Sequence, residues 1–114
     1  MTPSEDQITE VAEVFRLLGD PTRLKVVLAC LDGPVSVGDI ATAIGASVSL
    51  VSHHLRLLKG ARMVRSQRDG RQIFYAAADQ HVRNILTDMI EHANEPASET
   101  PDEAYHGHPL LWHR

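Results

Sequence analysis

Apolar side chains recur at helical spacing from Gln7 to Leu18. Ile8, Val11, Val14, Phe15 and Leu18 fall on one face, which predicts a first helix. In the "GDPTR" that follows, Gly19 ends that helix, Asp20 suits an N-cap and Pro21 suits the first position of a second helix. This helix should run from Pro21 to Leu31, bury Leu24, Val27 and Leu28, and break at "DGP". Ser36 is placed to cap a short helix to Ile44, and Gly45 turns the chain. Ser47 then caps a longer helix to about Gly60. In it Val51, Leu55 and Leu58 repeat at i, i+4 and i+7 and should face inward. Ser49, Ser52, His53, Arg56 and Lys59 should face outward. The pattern switches to alternation in "MVRSQRDGRQIFYAA", centred on Asp69-Gly70, which predicts a hairpin with a two-residue Asp-Gly turn. A last helix, from Asp79 to about Asn94, carries an apolar stripe of Val82, Ile85, Leu86, Met89 and Ile90.

Helix, tight glycine turn, then a helix with a polar and basic outer face is a helix-turn-helix pattern, and a hairpin directly after it is a wing. The expected fold class is therefore mainly α with a β-hairpin wing. Residues 1–95 should form one winged domain. The stretch 96–114, "PASETPDEAYHGHPLLWHR", has no helical period and is expected to be a mobile tail.

Length, composition and charge sharpen this picture. With 114 residues, the chain has room for one compact domain. No apolar run approaches the roughly 20 residues that span a bilayer, and the acidic, polar "MTPSEDQITE" does not resemble a secretory signal. A cytoplasmic protein without membrane attachment is the expectation. A single cysteine, Cys30, allows no intrachain disulfide and no thiolate cluster. The formal net charge is -4, yet Arg56, Lys59, Arg62, Arg65, Arg68 and Arg71 place six of the eleven basic residues in one short stretch. A basic surface on an acidic protein suits an anionic polymer, although a solvated charged face would read the same way. Ser47, Ser49, Ser52, His53 and Arg56 are the candidates for groove and phosphate contacts with double-stranded DNA, and Arg68 and Arg71 for contacts from the wing. His54 lies beside the inward face and is expected to pack.

Three segments in order carry a family resemblance: "LLGDPTRLKVV", "SVSLVSHHLRLLKGARMV" and "RDGRQIFY". Together they resemble the ArsR/SmtB family of bacterial metal-responsive repressors. The resemblance implies a homodimer that binds operator DNA and leaves it when the inducing metal binds. It further implies target genes for metal export, storage or detoxification. Thiolate sensors of the family carry cysteines near the first helix of the helix-turn-helix. Here that stretch is "PVSVGDI", so no thiolate site is expected. Other members sense at the last helix, with Asp-x-His at its start and His-x-x-His or His-x-x-Glu at its end. Asp79, His81, His92 and Glu95 match that pattern. In zinc-sensing relatives a metal-bound histidine donates its free ring N–H to the loop after the recognition helix. The position that matches here is the backbone of Arg62.

The spacing of the four candidate ligands can be examined independently. His81 and His92 differ by about 20° around a helix but by about 16 Å along it. They share a face and cannot share an ion within one helix, because zinc–ligand bonds are about 2 Å. A second, antiparallel copy would bring Asp79 and His81 beside the other copy's His92 and Glu95, forming two equivalent sites. Taken singly, Asp79 is most simply an N-cap, and the two histidines and Glu95 are solvated side chains. The conjunction of spacing, apolar seam and winged-helix context favours ligands. Two nitrogen and two oxygen donors suit tetrahedral Zn(II), with Co(II) or Ni(II) as alternatives. His106, His108 and His113 of the tail are either further ligands, as in nickel/cobalt sensors of the family, or solvated. Four protein ligands would close a zinc site against catalysis, and the chain has no nucleophile motif or phosphate loop, so an enzyme is not expected. The remaining rival is a winged-helix regulator that answers no metal, or an organic signal, with the last helix serving only as a dimer seam.

Overall fold

A computed structural model describes residues 1–97. Its element order is α1 (Glu5–Leu18), α2 (Pro21–Ala29), β1 (Val35–Ser36), α3 (Val37–Ile44), α4 (Val48–Gly60), β2 (Val64–Asp69), β3 (Gln72–Ala77) and α5 (Gln80–Asn94). The expected tail histidines His106, His108 and His113 lie outside the described residues.

Caps set most helix boundaries. Ser4 and Gln7 form a reciprocal capping box, so α1 starts two residues before the expected Gln7. Asp20 Oδ1 accepts from the Thr22 and Arg23 backbone N–H groups, and Pro21 takes the first position of α2. The helix closes at Ala29, two residues short of Leu31, where the N–H groups of Cys30 and Leu31 turn onto the carbonyls of Val27 and Leu28. Ser36 and Ser47 cap α3 and α4 by accepting from Asp39 and Leu50. Gly45 stands at φ +70 between them, and Ala46 N–H closes onto the Ala41 carbonyl. This is the left-handed residue that lets two helices meet at a sharp angle.

The turn after α4 uses the same geometry without glycine. Arg62 has φ +60; its N–H bonds to the Lys59 carbonyl, and Met63 N–H bonds to the Leu58 carbonyl. These paired bonds form a Schellman closure, and buried Met63 and Leu58 supply its apolar contact. An arginine there costs roughly 1 kcal/mol against glycine.

The sheet has three antiparallel strands in the order β1-β3-β2. Strand β1 was not expected: two residues between a break and a cap have no readable period. The hairpin register pairs Asp69 with Gln72, so the two-residue loop is Gly70-Arg71 and not Asp69-Gly70. Gly70 has φ +65 and Arg71 has no positive φ, which is the pattern of a type II′ turn. Arg71 thus sits in the turn itself.

The core gathers Val26, Val27, Cys30, Ile40, Val51, Leu55 and Leu58, all fully buried. Val26 takes the central place expected of Leu24 and Leu28, which lie at the edge of the cluster. Helix α5 contributes Val82 and Leu86, and Arg83 Nε bonds the Leu31 carbonyl to tie it to the end of α2. The stripe on α1 behaves differently. Ile8, Val11 and Phe15 are exposed, and the helix meets the rest of the chain through buried Leu17 and partly buried Val14 and Leu18.

Candidate nucleic-acid interface and metal ligands

Helix α4 sorts its residues as the periodicity requires. Val51, Leu55 and Leu58 are buried, Ser49, His53, Arg56 and Lys59 are exposed, and Ser52 is half-buried. Ser47 Oγ is committed to capping. His54 is buried: its Nδ1 accepts from Arg23 Nε at 3.3 Å, while Arg23 Nη1 donates to the Leu17 carbonyl. Burial, then the neighbouring Arg23 charge, hold the His54 pKa below its ordinary value. Asp20 is also held low, chiefly by the backbone N–H of Arg23. Asp20, Arg23 and His54 thus link α2 to the underside of α4. The sequence reading missed Arg23; its signal was an arginine two residues inside a capped helix that faces a histidine.

The basic stretch divides into two groups. Arg62 pairs with Glu10 of α1, and Lys59 Nζ donates to Ser66 Oγ at 2.7 Å. Arg56, Arg65, Arg68 and Arg71 have neither an ion pair nor a side-chain hydrogen bond among the described residues. Unneutralised guanidinium groups on α4 and the hairpin are what a polyanion can engage. Arg71 also lines an open groove of about 450 Å³ with Ser36, Asp39, Val48, Ser52 and Gln72, between the start of α3, the start of α4 and the wing. Val48 and Leu50 in the first turn of α4 are exposed as well, although neither belongs to the outward set read from the sequence.

The four candidate metal ligands lie on or beside α5. Asp79 is its N-cap: Oδ1 accepts from Val82 N–H at 3.0 Å, and Oδ2 carries no hydrogen bond among the described residues. Glu95 is the C-cap residue. Asp79, His81, His92 and Glu95 are all exposed. By helical geometry His81, Asp88 and His92 fall within about 40° of one another, Ile85 and Met89 follow within a further ~60°, and core-facing Val82 and Leu86 come next. Ile85 and Met89 are 51% and 56% exposed. The helix therefore carries a histidine strip, an uncovered apolar strip and a buried strip side by side. Among the described residues of one chain, no three His, Cys, Asp or Glu side chains converge to hold an ion.

Cys30 offers no thiolate. It is fully buried, its Sγ faces the carbonyls of Val26 and Val27, and burial raises its pKa to about 11. No helix among the described residues is long and apolar enough to cross a membrane.

Residues 20–66 match the family model described as "Bacterial regulatory protein, arsR family". The chain is 42% identical over 92 residues to the HTH-type transcriptional regulator KmtR of Mycobacterium tuberculosis, covering 78% of this chain and 71% of that protein. It is similar in structure to the homodimeric winged helix-turn-helix DNA-binding domain Mb0332 of Mycobacterium bovis, with a TM-score of 0.73 and 27% identity, over 83% of this chain and 92% of that one. It is also similar to the cadmium metal-sensor CMTR of Mycobacterium tuberculosis, with a TM-score of 0.63 and 35% identity, over 77% and 92% of the two chains. The capped helix-turn-helix, the three-stranded wing and these relatives agree: the chain belongs to the arsR family of bacterial regulatory proteins and is a DNA-binding transcriptional regulator, not an enzyme.

Proposed function

We propose that this chain is a metal-responsive repressor. It binds operator DNA as a homodimer through α4 and the wing, and leaves it when Zn(II), or alternatively Co(II) or Ni(II), binds between the subunits. The genes released would serve metal efflux or detoxification. The observation that carries this reading is the layout of α5: His81 and His92 at opposite ends of one exposed strip, exposed Asp79 and Glu95 at the caps beside them, and an uncovered apolar strip alongside. An antiparallel second copy of α5 would cover Ile85 and Met89 and set Asp79 and His81 beside the other copy's His92 and Glu95. The donor set fits a divalent ion of borderline softness: two imidazoles and two carboxylates, with Asp79 Oδ2 free while Oδ1 caps the helix. When bound, the ion would cross-link the two helix ends. Similarity to a cadmium metal-sensor and to a homodimeric domain supports both halves of the reading.

The chain's own residues suggest how α5 could reach α4. The Arg62 carbonyl follows α4 directly and accepts no hydrogen bond among the described residues. We assign it as acceptor for the ring N–H of a ligating histidine, which needs such a partner to fix its orientation. The side chain of Arg62 is turned towards Glu10, so the link depends on backbone alone.

Mixed dimers test the arrangement. A His81→Ala chain paired with a His92→Ala chain leaves one site with all four ligands and strips both histidines from the other. Each mutant homodimer should lose tight Zn(II) binding, and the heterodimer should recover about one ion. No recovered site in verified heterodimers, measured by isothermal titration, would refute sharing between subunits. Operator release titrated in parallel with Zn(II), Co(II), Ni(II) and Cd(II) ranks the metals.

A further inference from the structure

The first turn of α4 is chemically mixed. Val48 is 54% exposed and Leu50 42%, and exposed Ser49 stands between them. Neither apolar side chain belongs to the core-facing set of Val51, Leu55 and Leu58. Taken on 100° steps, they flank the polar strip of Ser49, His53 and Arg56, one on each side. Val48 also forms part of the groove that Ser52 and Arg71 line. The surroundings are mainly cationic: Arg56 on the same helix and Arg68 and Arg71 on the wing have no partner among the described residues, and Asp39 is the one carboxylate lining the groove.

A second copy of the chain is a poor occupant for this patch, because those unneutralised arginines would face their own kind. A DNA duplex suits both halves of the surface. Phosphates take the arginines, and the major groove offers one apolar group to a side chain, the 5-methyl of thymine. The N-terminal residues of a recognition helix are the ones that reach base edges. We infer that Val48 and Leu50 read thymine methyl groups, and so make the preferred site depend on thymines at fixed positions. This deepens the proposed function and rests on its reading of α4 as the helix in the major groove.

The test begins with selection from a randomised duplex pool by the full chain. The enriched duplex should hold invariant thymines. Each is then replaced by deoxyuridine, which keeps base pairing and removes only the methyl group. Wild-type protein should lose about fourfold in affinity for each contacted thymine, the transfer free energy of one buried methyl-sized group. A Val48→Ala/Leu50→Ala variant should bind the thymine duplex more weakly and show no further loss with uracil. Both side chains are exposed, so an unchanged thermal melt is expected and confirms that the variant is folded. If wild type binds the thymine and uracil duplexes equally, or selection yields no thymine preference, the inference is wrong. Arg56→Ala on the same duplexes separates the two readings. If it weakens binding while uracil has no effect, α4 stays in the groove and only methyl reading falls. If neither matters, both fall.

Discussion

Helices α4 and α5 have similar lengths and similar amphipathic character, yet they end in different states. Helix α4 buries Val51, His54, Leu55 and Leu58. Its exposed face is polar beyond the first turn. Helix α5 buries only Val82 and Leu86 and leaves Ile85, Met89 and Ile90 in water. The difference lies in how many neighbours each has. Helices α2 and α3 and the start of β2 surround α4, whereas α5 leans on the sheet and the end of α2 from one side. An amphipathic helix with a wide apolar face needs two surfaces to cover it, and the chain supplies α5 with one. The same holds for α1, whose Ile8, Val11 and Phe15 are also uncovered. One helix is covered within the chain; the other leaves an apolar face that a second copy would cover in the proposed homodimer.

Breaking the incomplete helix should have the largest effect. Ile85→Glu with Met89→Glu places charges in the proposed seam and should weaken the proposed dimer at least about a hundredfold, the worth of two buried apolar side chains. Sedimentation should show monomers that keep their helical circular dichroism. A dimer of wild-type affinity would end the comparison. The complete helix should respond in stability instead. Leu55→Ala removes a fully buried side chain and should cost about 2–5 kcal/mol in denaturant unfolding.

The periodicity of α4 named its buried Val51, Leu55 and Leu58 and most of its outward face, because one side of that helix meets the core, but it left out exposed Val48 and Leu50. The periodicity of α1 was less informative: the stripe it named includes exposed Ile8, Val11 and Phe15 and leaves out buried Leu17. Phe15 and Leu17 are equally apolar, and only the packing shows that one is exposed and the other buried. The short strand β1 and the Gly70-Arg71 turn were not legible for a related reason. Pairing register is a property of two segments, and "RDG" and "DGR" both offer a glycine turn. The left-handed Arg62 gave no local signal, since arginine rarely adopts that backbone. The ligand pattern on α5 was read from spacing and from the family resemblance, and the site it implies is a proposal. The structure shows all four residues exposed, with His81 and His92 on one strip of α5 and Asp79 and Glu95 at its two caps.

Smaller changes sharpen the contrast on the α4 side. Arg68→Ala and Arg71→Ala should each weaken DNA binding and lower the salt dependence by about one unit in the log–log slope, as one phosphate contact is lost. Unchanged slopes would take the wing off the DNA. The smallest effect is in pH. His54 is held below its ordinary value by burial, with Arg23, Asp20 and His53 as its charged or titratable neighbours. The unfolded chain therefore binds a proton first, so stability should be full above about 6.5 and fall as the pH drops from there towards the folded value. His54→Gln keeps an acceptor for Arg23 and should flatten that slope in thermal melts across pH 5 to 7.

The length of α5 has a consequence for how two bound ions would sense each other. The His81 and His92 ends are about 16 Å apart along a rigid helix, so in the proposed dimer two equivalent sites are separated by about that distance. This is about twice the screening length at physiological ionic strength. Each ion would also be held by two carboxylates, so a filled site carries little net charge and the first ion costs the second little in field energy. Any cooperativity between the sites would then have to be mechanical, carried by the helix pair as a stiff body. It should therefore persist when salt is raised, although the grip on DNA does not.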